Sequence, residues 1–240
     1  MWIFAILGWR FLIFYTLNGN NNMYKRLTFL SLLSILGACT SVKHIPLTEE
    51  QSQNLTNKTI VQSSYSKPDF TAMTAGKAAF AAFGAIAMIA EGNSIVEEND
   101  IEDPAKYISN SLAEALADQR GMKLVSSDFV SESDKVNDLV DNHPKVDYIL
   151  DYKTFGWMFG YYPADWSHYR VGYSGRLRVV DAAEKKVIAE TLCSAGEGDD
   201  ENPPTKDDLL ENNAQLLKDY LQKAADNCVA VLASDILLLK

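Results

Sequence analysis

Few residues in this chain have the types and spacing that chemistry requires. The three histidines, His44, His143 and His168, form no metal-site motif with one another or with a cysteine, and no zinc-protease, redox CxxC, nucleophile-elbow, SxxK or phosphate-loop motif occurs. Asp165, Ser167 and His168 hold the residue types of a hydrolytic triad, but neighbours along a chain rarely reach the geometry of one. Gly172-Tyr-Ser-Gly175 falls inside a strand pattern, where a nucleophile elbow is not expected. The acidic run Glu97 to Asp103 lacks the alternating ligands and central glycine of a calcium loop and reads as solvated. The sequence calls for no metal and no cofactor, and it offers no catalytic residue. What stands out is aromatic: eight of the 19 residues from Phe155 to Tyr173 are Phe, Trp or Tyr. Trp157, Tyr161, Tyr162, Trp166 and Tyr169 are the candidate binding residues, able to stack on a sugar ring or anchor a partner protein. The competing reading is a hairpin stabilised by its own cross-strand aromatic pairs.

The elements that must position these residues can be read from periodicity. Thr59-Ile60-Val61 forms a short strand. Phe70 to Ala90 is dominated by Ala and Gly, with pairs such as Ala78/Ala82 and Ala81/Ala85 that allow close backbone approach. This helix is either pressed into the core or inserted in a bilayer or oligomer. Its uninterrupted apolar part, Ala78 to Ala90, is 13 residues beside Lys77, too short to span a membrane. Asp103-Pro104 starts a helix over 104–119, with Ile108, Leu112 and Leu116 on one stripe and Gly121 as C-cap. A short strand at Met122 to Val125 and a short helix at Ser133 to Val140 follow. Val146 to Ala195 alternates as a three-stranded antiparallel meander, with Tyr169, Val171, Tyr173, Leu177 and Val179 on a covered face and Arg170, Arg176 and Arg178 on a wetter one. Thr205 to Asp208 is a capping box opening a long C-terminal helix. The expected fold is α+β: one domain over 58–240, a mixed sheet with helices packed on it.

The N-terminal part gives location. Met23-Tyr24-Lys25-Arg26 supplies a basic region, Leu27 to Leu36 an uncharged apolar run of ten residues, and Gly37-Ala38 small residues before Cys39, as in a secretory signal. Leu36-Gly37-Ala38-Cys39 resembles the lipobox of bacterial lipoproteins. The resemblance implies cleavage before Cys39, consumption of its thiol as a thioether to diacylglycerol, fatty acyl chains such as palmitate, and a membrane anchor. Thr40, not acidic, resembles the outer-membrane sorting choice, which places the domain in the periplasm of a Gram-negative cell. Residues 23–38 are then the signal peptide. Residues 1–22, a second apolar stretch, read as an early start assignment or as an extra membrane segment. Residues 39–57 are polar and read as a flexible tether. With Cys39 acylated, Cys193 and Cys228 remain as an even pair in an oxidising compartment, which reads as a disulfide or as two buried thiols.

Net charge is −10 for the whole chain, and 19 basic against 32 acidic residues, −13, from Cys39 onward. That sign argues against nucleic acid as a partner. The element order is weakly similar to the periplasmic domains of the curli-secretion lipoprotein and of lipoproteins that activate penicillin-binding proteins; no residue beyond Cys39 carries over. The expectation is a non-catalytic outer-membrane lipoprotein binding an envelope protein or polymer. The alternatives are an oligomeric secretion or pore component built on helix 70–90, which would make a homo-oligomer, and an envelope hydrolase.

Overall fold

The structure, a computed structural model, describes residues 42–78 and 80–240. The expected signal peptide over 23–38, Cys39 and residues 1–22 lie outside the described residues. Val42 to Lys240 forms one unit, an α+β domain. Its elements are α1 (Glu49–Asn54), β1 (Thr59–Gln62), β2 (Thr71–Met73), α2 (Ala75–Ala78), α3 (Ala81–Glu98), α4 (Pro104–Arg120), β3 (Lys123–Val125), α5 (Val136–Asn142), β4 (Tyr148–Tyr162), β5 (Asp165–Asp181), β6 (Lys186–Glu197) and α6 (Lys206–Val231), closed by a π-helical turn at Leu232–Ile236.

The sheet runs β3-β1-β4-β5-β6 and is mixed: β1 is parallel to β3 and β4, while β4, β5 and β6 form the antiparallel meander. One edge of β4 is shared. β1 pairs with Tyr148 to Leu150 and β2, also parallel, with Met158 to Gly160, leaving a gap between them. The principal core lies on one sheet face, where Ile108, Leu112 and Leu116 of α4 and Leu217, Leu221 and Ala224 of α6 meet Tyr152, Leu177 and Val179. The helix starts follow from their caps: Asp103 accepts from Ala105 N with Pro104 in the first turn, Gly121 closes α4 at φ 63°, and Thr205 with Asp208 forms the capping box of α6.

Four expectations need correction. The wetter sheet face is covered at one end, because α5 buries Leu139 against Val61, Ile149 and Val180, so Arg176 and Arg178 are buried. The tether is shorter than 39–57: Ile45 pairs antiparallel with Glu190, Leu47 and Leu55 are core residues, and α1 carries its own capping box at Thr48 and Gln51. The Ala/Gly-rich segment is strand β2 followed by α2 and α3, which runs on to Glu98. That segment is also not a buried helix. Its close approach to β2 is made by Gly92, whose Cβ would collide with the Phe70 carbonyl, whereas Ala78, Ala85, Ala87 and Ala90 are exposed. Among the described residues no helix is long and apolar enough to cross a membrane.

Candidate functional site

The gap between β1 and β2 is the mouth of a polar cleft of about 550 Å³. The chain from Ser63 to Pro68 leaves β4 and forms one wall. The first turns of α4 (Asp103, Lys106, Ser109, Asn110) and the segment after β3 (Ser126, Ser127, Asp128) form the others, and Tyr152, Lys153 and Thr154 form the floor. Hydroxyl, amide, carboxylate and ammonium groups share the lining with apolar surface from Pro68, Ala105 and Val125. Burial pushes the Asp103 carboxyl above its ordinary range, opposed by hydrogen bonds from Thr154 Oγ1 (2.6 Å) and Ala105 N (3.0 Å). Thr154 Oγ1, whose proton goes to Asp103, lies 3.0 Å from the Tyr173 hydroxyl and accepts from it, and the Tyr152 hydroxyl lies 3.3 Å beyond. Burial raises both phenols, so they stay protonated at neutral pH. The chain Asp103, Thr154, Tyr173, Tyr152 thus gives the floor a fixed set of donors and acceptors. Gly175 makes room for it, since a side chain there would overlap the Tyr152 ring.

Behind the cleft lies an ion cluster that alternation alone does not reveal. Asp151, fully buried, accepts from Arg178 Nε (2.8 Å), from Ser63 Oγ (2.8 Å) and from the Tyr65 hydroxyl, with Arg178 Nη2 in ion-pair contact at 2.7 Å while it donates to the Asp134 carbonyl. Arg176 bonds Asp134 at 3.0 Å and lies 3.5 Å from Asp151, with the Phe155 ring over its guanidinium. Burial works to raise the Asp134 carboxyl, but Lys153 and Arg176 hold it below the usual carboxylate range. Register builds the cluster, because β4 and β5 place Asp151 opposite Arg178 and Lys153 opposite Arg176. These charges are visible in the sequence; what hides them is the cover supplied by α5 and by the Ser63–Pro68 segment.

The five aromatic candidates separate. Trp157 is 1% exposed, donates from Nε1 to the Pro68 carbonyl at 3.1 Å and packs edge-on against Phe70. Tyr169 is 7% exposed and packs edge-on against Phe159. These two are core residues, corrected from binding candidates, because no ligand reaches either ring. Tyr161 and Tyr162 end β4; Tyr161 leans on the core, while Tyr162 carries Arg170 over its ring and donates to Asp200. Trp166 alone is open, at 68% exposure.

Ser167 donates to Asp165 Oδ1 at 2.8 Å and His168 Nδ1 lies 2.6 Å from Asp165 Oδ2, so both bond the carboxylate and not each other. That is a turn-stabilising arrangement, not a nucleophile and its base. Cys193 of β6 and Cys228 of α6 form a disulfide, Cα to Cα 5.8 Å, across 35 residues of sequence. In the chain-entropy account a loop of that size stabilises by about 3–4 kcal/mol. Among the described residues no cluster of His, Cys, Asp and Glu could hold a metal ion.

No family profile matches the sequence and no curated protein matches it. Solved structures give distant likenesses. A hypothetical protein of Chlamydia trachomatis, CT253, is 10% identical, covering 74% of this chain and 96% of its own at a TM-score of 0.37. A protein of Xanthomonas campestris, XCC0632, is 13% identical over 80% and 91%, at 0.38. Lipoprotein GNA1162 of Neisseria meningitidis is 16% identical over 72% and 98%, at 0.28. Likeness at this level leaves function to the geometry of the chain itself.

Proposed function

We propose that this chain is a lipid-anchored protein of the bacterial cell envelope, attached through Cys39 to the outer membrane and facing the periplasm, and that it works by binding rather than by catalysis. The observation that carries the binding reading is the cleft: a 550 Å³ opening at a break in strand pairing, floored by an ordered hydroxyl chain. Ligand sites are concavities of this size with a few fixed polar groups. Its lining suits a hydroxyl- and carboxylate-bearing segment of an envelope polymer. Lys67, Lys106 and Lys153 stand in the lining with Glu102, Asp103 and Asp128, so the cleft offers both signs of charge. Lys67 and Lys153 are paired with Glu102 and Asp134, which leaves Lys106 as the cation for a ligand carboxylate, and the serine and asparagine groups supply neutral hydrogen bonds.

The test is retention of the full chain on purified peptidoglycan, with variants at the cleft wall. Lys106→Glu changes an exposed residue outside the Asp151 cluster, so the fold is expected to survive, and retention should fall at least several-fold. Equal retention of wild type and Lys106→Glu, or none by either, overturns the cleft as the polymer site.

A further inference from the structure

One end of the domain presents large apolar side chains to solvent. Phe80, Phe83 and Ile86 are 70%, 84% and 69% exposed, and with Ala87 and Ala90 they follow helical spacing along the outer side of α3. The inner side of the same helix, Met88, Gly92, Ile95 and Val96, is buried against the domain. Register places the exposed stripe at the tip of the β4–β5 hairpin. β2 ends at Met73 opposite Gly160, α2 continues beyond it, and α3 turns back from Phe80. Trp166 occupies the hairpin tip itself. Four large apolar side chains therefore point outward at one end of the molecule.

We propose that this end is a lipid-contact face, so that Phe80, Phe83, Ile86 and Trp166 enter the interfacial region of the membrane to which the chain is anchored. The inference rests on the lipid-anchor reading of Cys39. The entry of the chain selects lipid as the occupant. Ile45 pairs antiparallel with Glu190 of β6, with His44 Nδ1 3.0 Å from Thr191 Oγ1. Because β6 runs toward the hairpin tip, the chain upstream of Ile45 leads toward that tip as well. Five residues lie between Cys39 and Ile45, a reach of at most about 20 Å, whereas β5 extends about 40 Å from the level of Glu190 to Asp165. The anchor therefore falls about 20 Å short of the tip, and a tether that short holds the domain tilted along the bilayer, with its apolar end against lipid rather than out in solvent. The residue types fit: phenylalanine and tryptophan are favoured at membrane interfaces. Charge sets the kind of surface. Asp199, Asp200 and Glu201 lie near the same tip, with Asp200 accepting from Tyr162, so the face suits zwitterionic lipid and is repelled by anionic lipid at low salt.

The test uses the full lipidated chain in vesicles of phosphatidylcholine and phosphatidylethanolamine. A nitroxide is placed at Phe83→Cys, at Trp166→Cys or, as a control on the far end of α3, at Glu97→Cys. With Cys39 acylated and Cys193 bonded to Cys228, each introduced cysteine is the only free thiol. Vesicle flotation reads the anchor, and the ratio of oxygen to nickel-chelate accessibility reads depth. The expected result is flotation, with a ratio several-fold higher at 83 and 166 than at 97, falling when phosphatidylglycerol is added. Flotation with an aqueous ratio at 83 overturns the lipid-contact face and leaves the anchor standing. Failure to float overturns the anchor reading, and the proposal with it. Flotation with the label at 83 shielded from both reagents, and spin-broadened by a neighbouring label, overturns lipid as the occupant in favour of a second copy of the chain.

Discussion

Replacing Asp151 with asparagine changes one atom and should remove a large share of the domain's stability. The carboxylate is fully buried and accepts four hydrogen bonds, from Arg178 Nε, Arg176 Nη2, Ser63 Oγ and the Tyr65 hydroxyl, with Arg178 Nη2 also in ion-pair contact. Asparagine keeps the volume but deletes the charge facing Arg178. It also turns an acceptor oxygen into an NH2 group aimed at donors. Breaking a buried pair from one side leaves an uncompensated charge and costs about 3–5 kcal/mol. Set against a typical total of about 5–15 kcal/mol, this is decisive. With a urea m-value near 2–3 kcal/mol/M for a domain of this size, the midpoint should fall by about 1–2 M. The assay is equilibrium unfolding in urea followed by tryptophan fluorescence, since Trp157 is buried and reports core opening. The double replacement Asp151→Leu with Arg178→Met should lose less than Asp151→Asn alone, because it leaves no orphaned charge there. A midpoint shift below about 0.3 M for Asp151→Asn, less than 1 kcal/mol at that m-value, would refute the reasoning.

Two other perturbations test separate parts of the fold. Inside α6, Asn212, Asn213 and Ala214 take φ of 52°, 61° and 54°, a left-handed turn that glycine adopts freely and a β-branched residue resists. Asn213→Gly should therefore be more stable than Asn213→Val by about 2 kcal/mol in urea unfolding, and equal stability would mean the turn is absent in solution. Burial holds the His143 imidazole below its ordinary pKa, so the folded state binds that proton less readily than the unfolded chain. Stability is accordingly full above about pH 6.5 and falls as pH drops below it. His143→Leu should flatten melting temperature between pH 6.5 and 5, and an unchanged slope in that window would show that other groups set it.

Long periodic elements and their caps were legible in the sequence: α4 with Asp103, Pro104 and Gly121, α6 with its capping box, and the meander all follow from local pattern, while the count of cysteines left two readings of Cys193 and Cys228, of which the structure has the disulfide. The cleft was not, because it is a consequence of register. Nothing local in Thr59–Gln62 and Thr71–Met73 says that both lie along one edge of β4 with seven β4 residues, Asp151 to Trp157, left between them. The aromatic stretch misled for a related reason. Aromatic density marks either a surface or a core, and only the cover supplied by Pro68 and Phe70 decides that Trp157 belongs inside while Trp166 stays out. The Ala/Gly-rich segment was ambiguous from composition and resolves by position: glycine is demanded at Gly92, where the helix touches β2, and the alanines around it face solvent.

The ion cluster and the cleft are linked by the same segment. A well-packed apolar group in place of a buried ion pair is commonly as stable or more so, so stability alone does not account for Asp151. Its partners explain more. Ser63 and Tyr65 both donate to Asp151, while Ser64 bridges to Val130 and accepts from Ser131 N at 2.7 Å. Those bonds take the chain off β4 one residue after Ser63 N reaches the Leu150 carbonyl. The buried acceptor at position 151 is one of several ties, with the Ser64–Ser131 bond, the Lys67 bond to the Ile101 carbonyl and the Trp157 bond to the Pro68 carbonyl, that keep the segment from Ser63 to Pro68 off β4, where continued pairing would join β1 to β2 and close the gap. The cluster therefore contributes to the separation that makes the cleft. It follows that Asp151→Leu with Arg178→Met, though it keeps most of the stability, should lose part of its retention on peptidoglycan.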